Sequence, residues 1–273
     1  MSTDPADVDW WIEFGGRWGL RAMIRDRYSW CGVDPLCCSP PPPHPSAPAI
    51  PKSIEQESPD SKSRDGQLPP VPNRAAGDEE LLVAVDHPRI SVIEAYRKSG
   101  WPFAVEGAFL RRKAMDRLGA AADLLPVGFG LAVWDAWRDR RLQQALHDDA
   151  YADPALPPGF VSRPSDDPSF PPPHATGGTV DVTLTWESVP LSLGTGFDDF
   201  VPDARPEALE LIADDDPLAL SRDLRRLLRK VMVDQGFVQL GCEWWHFEYG
   251  TRLWAARNHQ PARYHAHPGP FEP

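Results

Sequence analysis

The stretch Pro173-His174-Ala175-Thr176-Gly177-Gly178-Thr179-Val180-Asp181 changes character halfway along. It begins as a proline-bounded loop with one imidazole. After two glycines it becomes β-branched and alternating, the pattern of a strand, over Thr179 to Thr185. Seven residues separate His174 from Asp181, too many for one short strand face. Gly177 and Gly178 allow the sharp turn that could return the imidazole to the carboxylate. A single ion held by both would staple the loop to the sheet.

Glu243-Trp244-Trp245-His246 supplies the complementary half. With His246, the chain offers two imidazoles and one carboxylate, a borderline nitrogen and hard oxygen set that suits one Zn2+ per chain. Three protein ligands leave a fourth position open for water, and Glu243 stands close by as a general base. On an ideal strand, Glu243 and His246 point to opposite faces. The reading therefore requires a turn or bulge around Cys242 to Trp244. Each element alone is ordinary: a histidine beside glycines is usually a loop residue, and a glutamate among aromatics usually a rim residue. The joint pattern H-x(6)-D with E-x-x-H is far more specific.

The surrounding sequence divides into an extension and a folded part. The chain has 273 residues and a formal net charge of −12. That balance argues against a nucleic-acid surface, which needs a clustered basic field. No apolar run approaches the length of a membrane span. Residues 1–38 contain Trp10, Trp11, Trp18 and Trp30 without a sustained period and read as an irregular extension. Residues 39–79 read as a disordered proline-rich linker; Ser39 to Asn73 hold eleven of the 32 prolines and no aromatic residue. Cys31, Cys37, Cys38 and His44 match no paired C-x-x-C spacing. With so few cysteines, and no basic n-region followed by an apolar h-region in the first thirty residues, a cytoplasmic location is expected.

Residues 80–258 are expected to form the folded domain, and 259–273 an irregular tail. Leu81–Val85 reads as a strand. Phe109–Leu125 carries an apolar or small stripe at 110, 114, 115, 118, 121, 122 and 125, the spacing of a helix. Gly130–Trp134 reads as a buried strand, Arg141–Tyr151 and Leu218–Asp234 as helices, and Phe237–Leu240 and Glu243–Tyr249 as strands. Helices and strands mix without strict alternation, which places the chain in the α+β class, with a small antiparallel or mixed sheet flanked by helices.

His174-x-x-Gly177-x-x-x-Asp181 together with Glu243-Trp244-Trp245-His246 resembles the D-alanyl-D-alanine dipeptidase family, the VanX-type zinc peptidases of family M15. The resemblance runs over roughly residues 81 to 255. It implies His174, Asp181 and His246 as zinc ligands and Glu243 as catalytic base. Trp134-Asp135-Ala136-Trp137-Arg138 resembles a further family segment and implies Arg138 as the group that stabilises the oxyanion, a role suited to a fixed guanidinium. Gly194-Thr195-Gly196-Phe197-Asp198 resembles a third and implies Asp198 as acceptor of the substrate's free amino group, with Asp199 adjacent. Pro172 stands where the family has a serine, Thr179 where it has alanine, and Asp139 follows Arg138 where proline is usual.

The implied activity is zinc-dependent hydrolysis of D-Ala-D-Ala or a related small D,D-dipeptide, with no nucleic-acid or membrane partner. Two other readings keep the metal: a D,D-carboxypeptidase or endopeptidase on muropeptides, and a non-catalytic zinc-binding fold for ligand recognition. Nothing in the sequence bears on oligomeric state.

Overall fold

A computed structural model describes residues 68–73, 75–152, 161–199, 201–216 and 218–270. The extension up to residue 67, including Cys31, Cys37, Cys38 and His44, lies outside the described residues.

Strand β5 (Thr179–Trp186) is the centre of the molecule, buried along seven of its eight residues. It pairs antiparallel with β4 (Phe129–Asp135) on one side and β8 (His246–Glu248) on the other. Beyond β4 lies β2 (Ile90–Val92), the one parallel pairing, and beyond β8 lies β7 (Val238–Gln239). A short β6 (Val189–Pro190) returns onto the far end of β5. This mixed six-stranded sheet has the order β2-β4-β5-β8-β7, with β6 beside β5. A separate ribbon pairs β1 (Leu82–Ala84) with β3 (Phe109–Arg111).

Alternation along β5 divides its two faces. Val180, Val182 and Leu184 are fully buried with Leu131 and Val133 of β4, in one core with the apolar stripes of two helices. These are α2 (Arg112–Asp123), which buries Ala114, Met115, Leu118, Ala121 and Ala122, and α4 (Ala219–Asp234), which buries Leu224, Leu227, Leu228, Val231 and Met232. Thr179, Asp181, Thr183 and Thr185 occupy the other face. Three more helices, α1 (Ala95–Lys98), α3 (Arg140–Ala150) and α5 (Arg252–Asn258), complete the described fold. The architecture is α+β, as the mixed pattern implied.

Differences from the sequence reading have local causes. The helix expected from Phe109 begins at Arg112, because Phe109 to Arg111 spend their backbone groups on β1 and on the Gly177 carbonyl. The expected strand at Glu243–Tyr249 contracts to His246–Glu248, and residues 241, 242, 244 and 245 lie in turns. That is the turn Glu243 required.

The described residues 68–73 and 75–79, which the sequence reading assigned to the linker, are held in place. Val71 and Ala75 are buried, Val71 N–H donates to Ser169 O, and Arg252 donates to the carbonyls of Leu68 and Pro69. Backbone hydrogen bonds and two small apolar contacts order this proline-bearing segment where composition alone suggests none.

The described part of the tail, 259–270, has no helix or strand. It is nevertheless anchored. Tyr264 is fully buried, and Arg263 bonds with Gly77 and Gly250 through the backbone.

Candidate metal centre

Each proposed ligand is placed by a different element. Asp181 lies on β5, and its directly opposed partner on β8 is His246. Opposed residues of an antiparallel pair share a face and sit close together. His174 opens a single 3-10 turn, His174–Thr176, that Gly177 closes at φ 74°. Gly178 follows with its carbonyl accepting from Tyr249 N–H at 2.7 Å. A Cβ there would strike the Tyr249 carbonyl oxygen, so glycine is required for this close approach. The two glycines fold the turn back over the strand, as the spacing anticipated.

The three side chains converge. His174 Nε2 stands 3.2 Å from Asp181 Oδ2, and His246 Nδ1 stands 3.0 Å from Asp181 Oδ1. One ligand atom from each of the three residues lies within 4.8 Å of the others, and all three are buried. Two ligands of a tetrahedral ion at about 2.0–2.1 Å stand roughly 3.3 Å apart, so these separations suit zinc. Although Asp181 Oδ1 is close to His246 Nδ1, it accepts no well-aligned hydrogen bond.

The outer atoms fix both tautomers. His174 Nδ1 lies 2.7 Å from the Ala136 carbonyl, to which it can only donate, so Nε2 is left as the free donor atom. His246 Nε2 lies 3.0 Å from Glu248 Oε1, which leaves Nδ1 free. Glu248 is itself held by the Thr251 hydroxyl. Such outer partners orient ligands and raise their basicity. Glu248→Gln is therefore expected to weaken zinc binding by about 10–100-fold, read by titration against a competing chelator.

Electrostatics agree with a cation-binding site. Burial alone would raise the Asp181 carboxyl, but His174 and His246 outweigh it and hold the group far below the usual carboxylate range. Burial would lower His246, yet Asp181 and Glu248 push it up to about 10.

Glu243 leaves the turn with Oε2 3.5 Å from His246 Nδ1, next to the proposed ion position and not on the strand face. Arg138 approaches from the other side. A register shift between Val133 and Asp135 brings Asp135 opposite Asp181 at the end of β4. Asp135 Oδ2 then accepts from Arg138 Nε at 2.9 Å and lies 3.3 Å from His174 Nδ1. Arg138 Nη1 donates to Gln143 at 2.8 Å, and Nη2 donates to the Tyr96 hydroxyl at 3.0 Å and lies 3.9 Å from Asp181. Burial works against its charge, but Tyr96, Asp135, Asp181 and Asp198 keep the guanidinium firmly protonated.

Asp198 sits on the loop after β6 with φ 56° and accepts from Tyr96 Oη at 2.7 Å. Burial and the neighbouring Asp181 push its carboxyl up to about 8 despite Arg138. Every site residue named from the sequence thus falls in one neighbourhood.

Several contributors escaped the sequence reading. Tyr96 links Arg138 to Asp198; Gln143, Asp135 and Glu248 orient the others. Glu248 had a readable signal, since residues two apart on a strand share a face with the ligand. Tyr96, some forty residues before Arg138 and on a four-residue helix, had none.

The His174 turn is also held from behind. Arg111 Nε donates to Thr176 O at 2.9 Å and Nη2 to His265 O at 3.2 Å, while His267 N–H donates to Ala175 O at 2.8 Å. The tail thus packs directly against the ligand-bearing turn.

The family model described as D-Ala-D-Ala dipeptidase, peptidase M15, matches residues 110–267. That span begins later than the sequence resemblance and takes in the tail. A D-alanyl-D-alanine dipeptidase of Synechocystis is 28% identical in an alignment of 200 residues, covering 64% of this chain and 80% of the relative. Dipeptidases of the same name from Streptomyces coelicolor and Escherichia coli are 29% and 32% identical; each alignment covers 44% of this chain, and they cover 62% and 55% of the relatives. Among the described residues no helix is long and apolar enough to cross a membrane. The chain belongs to the D-Ala-D-Ala dipeptidase family of M15 peptidases and is a metallopeptidase.

Proposed function

We propose that this protein uses zinc to hydrolyse D-Ala-D-Ala or a closely related D,D-dipeptide. The observation that carries this reading is the meeting of His174 Nε2, Asp181 and His246 Nδ1 within 4.8 Å, with Glu243 3.5 Å from His246. The names of the relatives point to the same substrate.

His174, Asp181 and His246 would hold one zinc ion. Bound there, zinc supplies Lewis acidity and brings the pKa of a water ligand to about 7. Glu243 takes the proton of the attacking water and delivers it to the leaving amine. Arg138, fixed by Asp135, Gln143 and Tyr96, faces the carbonyl oxygen as negative charge develops on it. Asp198 receives the substrate's ammonium group. A carboxyl already raised by burial and like charge gains strongly from an incoming cation. The position of Asp198 would limit the site to short peptides with a free amino end. A free dipeptide is a cytoplasmic precursor or recycling product of the cell wall, and we place the activity there.

The test is release of D-alanine from D-Ala-D-Ala by the zinc-loaded protein. Turnover of the dipeptide and refusal of a pentapeptide ending in D-Ala-D-Ala support the reading. Cleavage of the pentapeptide instead would favour a carboxypeptidase. Stoichiometric zinc with no D,D-peptide hydrolysed would favour a binding protein.

Asp198→Asn is expected to raise KM by about tenfold, the scale of a lost charged contact at roughly 1.4 kcal/mol per decade, with a smaller effect on kcat. Steady-state kinetics separates the two.

A further inference from the structure

Arg225 lies in the middle of α4, 1% exposed, and the helix's other buried residues are Leu224, Leu227, Leu228, Val231 and Met232 together with Ser221 and Arg222. Among the described residues no carboxylate stands within salt-bridge distance of it, and its Nη2 has no hydrogen-bond partner. Burial pulls its pKa down to about 9, with Asp203, Glu207 and Glu210 only partly opposing. A leucine would fill this position without desolvating a charge, so the guanidinium calls for another explanation.

Its contacts provide one. Nε donates to Leu193 O at 2.6 Å, and Nη1 donates to Asp203 O at 2.8 Å and Arg205 O at 3.1 Å. These carbonyls are the entry and exit of the loop that carries Asp198. The guanidinium carbon also lies 5.4 Å from the centre of the Trp244 ring, a cation–π contact. Trp244 follows Glu243 directly. It bonds to the same loop twice, through its N–H to Ala204 O at 2.9 Å and its indole N–H to Thr195 Oγ1 at 2.7 Å. One side chain thus joins both ends of the Asp198 loop to the residue beside Glu243. Asp198, a non-glycine residue at φ 56°, is in a conformation that persists only when its surroundings impose it.

We propose that Arg225 is a positioning residue that fixes the Asp198 loop and the Glu243 turn at one separation, and thereby sets selectivity for dipeptides with a free amino end. This rests on the roles proposed above for Asp198 and Glu243. None of the three proposed zinc ligands lies on either segment that Arg225 holds except His246, at the far end of the turn and fixed independently by β5 and Glu248.

The test compares full-length, zinc-loaded wild type with Arg225→Met and Arg225→Lys. The readouts are zinc content, kcat and KM for D-Ala-D-Ala and for N-acetyl-D-Ala-D-Ala, and amide hydrogen exchange. With Arg225→Met, zinc is retained and KM for the free dipeptide rises about tenfold, a modest share of what a misplaced site residue can cost. The preference for the free over the acetylated dipeptide narrows by a similar factor, and amides of 193–205 and 241–246 exchange faster while those of β4 and β5 do not. Arg225→Lys, which keeps the charge, falls between. Unchanged selectivity and exchange in Arg225→Met overturn the proposal, as does uniformly faster exchange with loss of zinc. If Arg225→Met does not fold, wild-type selectivity and exchange in Arg225→Lys overturn it. If the wild type hydrolyses no D,D-dipeptide, the functional reading fails by itself, and exchange at the two segments still decides whether Arg225 holds them together.

Discussion

Glu243→Gln lowers kcat for D-Ala-D-Ala by about 10²–10⁴-fold, the range over which a positioned general base accelerates proton transfer, and the variant keeps its zinc. The two halves of this expectation have separate causes. Glutamine matches glutamate in shape but cannot take a proton from water, so only the proton transfer is lost. The turn at 241–245 is held from elsewhere, by Trp244 N–H on Ala204 O and by Gln239 Nε2 on Trp244 O at 2.7 Å. The proposed ligands are oriented by other groups, His174 by the Ala136 carbonyl and His246 by Glu248. Zinc analysis of the purified variant beside its steady-state kinetics checks both halves. A variant that loses activity and zinc together would make Glu243 a ligand or a scaffold and not the base.

Arg138→Met lowers kcat by about 10²–10³-fold, the cost of removing one donor from an oxyanion site, with a smaller change in KM. In the role proposed for it, the guanidinium would face charge that exists only as the reaction proceeds, so its loss would fall on the rate. A structural effect accompanies it. Arg138 is 7% exposed and bonds Asp135, Gln143 and Tyr96. Removing it leaves Asp135, whose carboxyl burial already raises, with less to offset its charge. Arg138→Lys separates the effects. It restores a charge, and with it much of the stability, but not the planar three-way hydrogen bonding, so kcat stays well below wild type. Thermal denaturation of both variants beside their kinetics makes the distinction. Equal kcat in Arg138→Lys and wild type would remove Arg138 from the proposed chemistry.

What the sequence disclosed about this site follows a physical division. His174, Asp181, Glu243 and His246 are legible because their chemistry is local and their spacing is set by one turn and one strand pair. The requirement for a break before His246 was also legible, from the parity of a strand. Asp135, Tyr96 and Gln143 were not, since their importance comes from meeting Arg138 in space. The order of the sheet, with β2 parallel to β4 at one end, leaves no mark on periodicity. The helix start at Arg112 was misplaced because a long-range partner claimed the backbone of residues 109–111. The docking of 68–79 and of the tail was missed for the same reason. Both depend on long-range partners, some of them main-chain carbonyls, as in Arg252 to Leu68 and Pro69 and Arg111 to His265, and some side chains far apart in the chain, as in His265 with Asp78.

The central claim is that His174, Asp181 and His246 together hold the zinc ion used in hydrolysis. Metal analysis of wild-type and Asp181→Ala protein, each loaded with zinc and dialysed against a weak chelator, tests it most directly. The expected result is one zinc per wild-type chain and almost none in the variant, with hydrolysis lost in parallel. Wild-type zinc content in Asp181→Ala would contradict it.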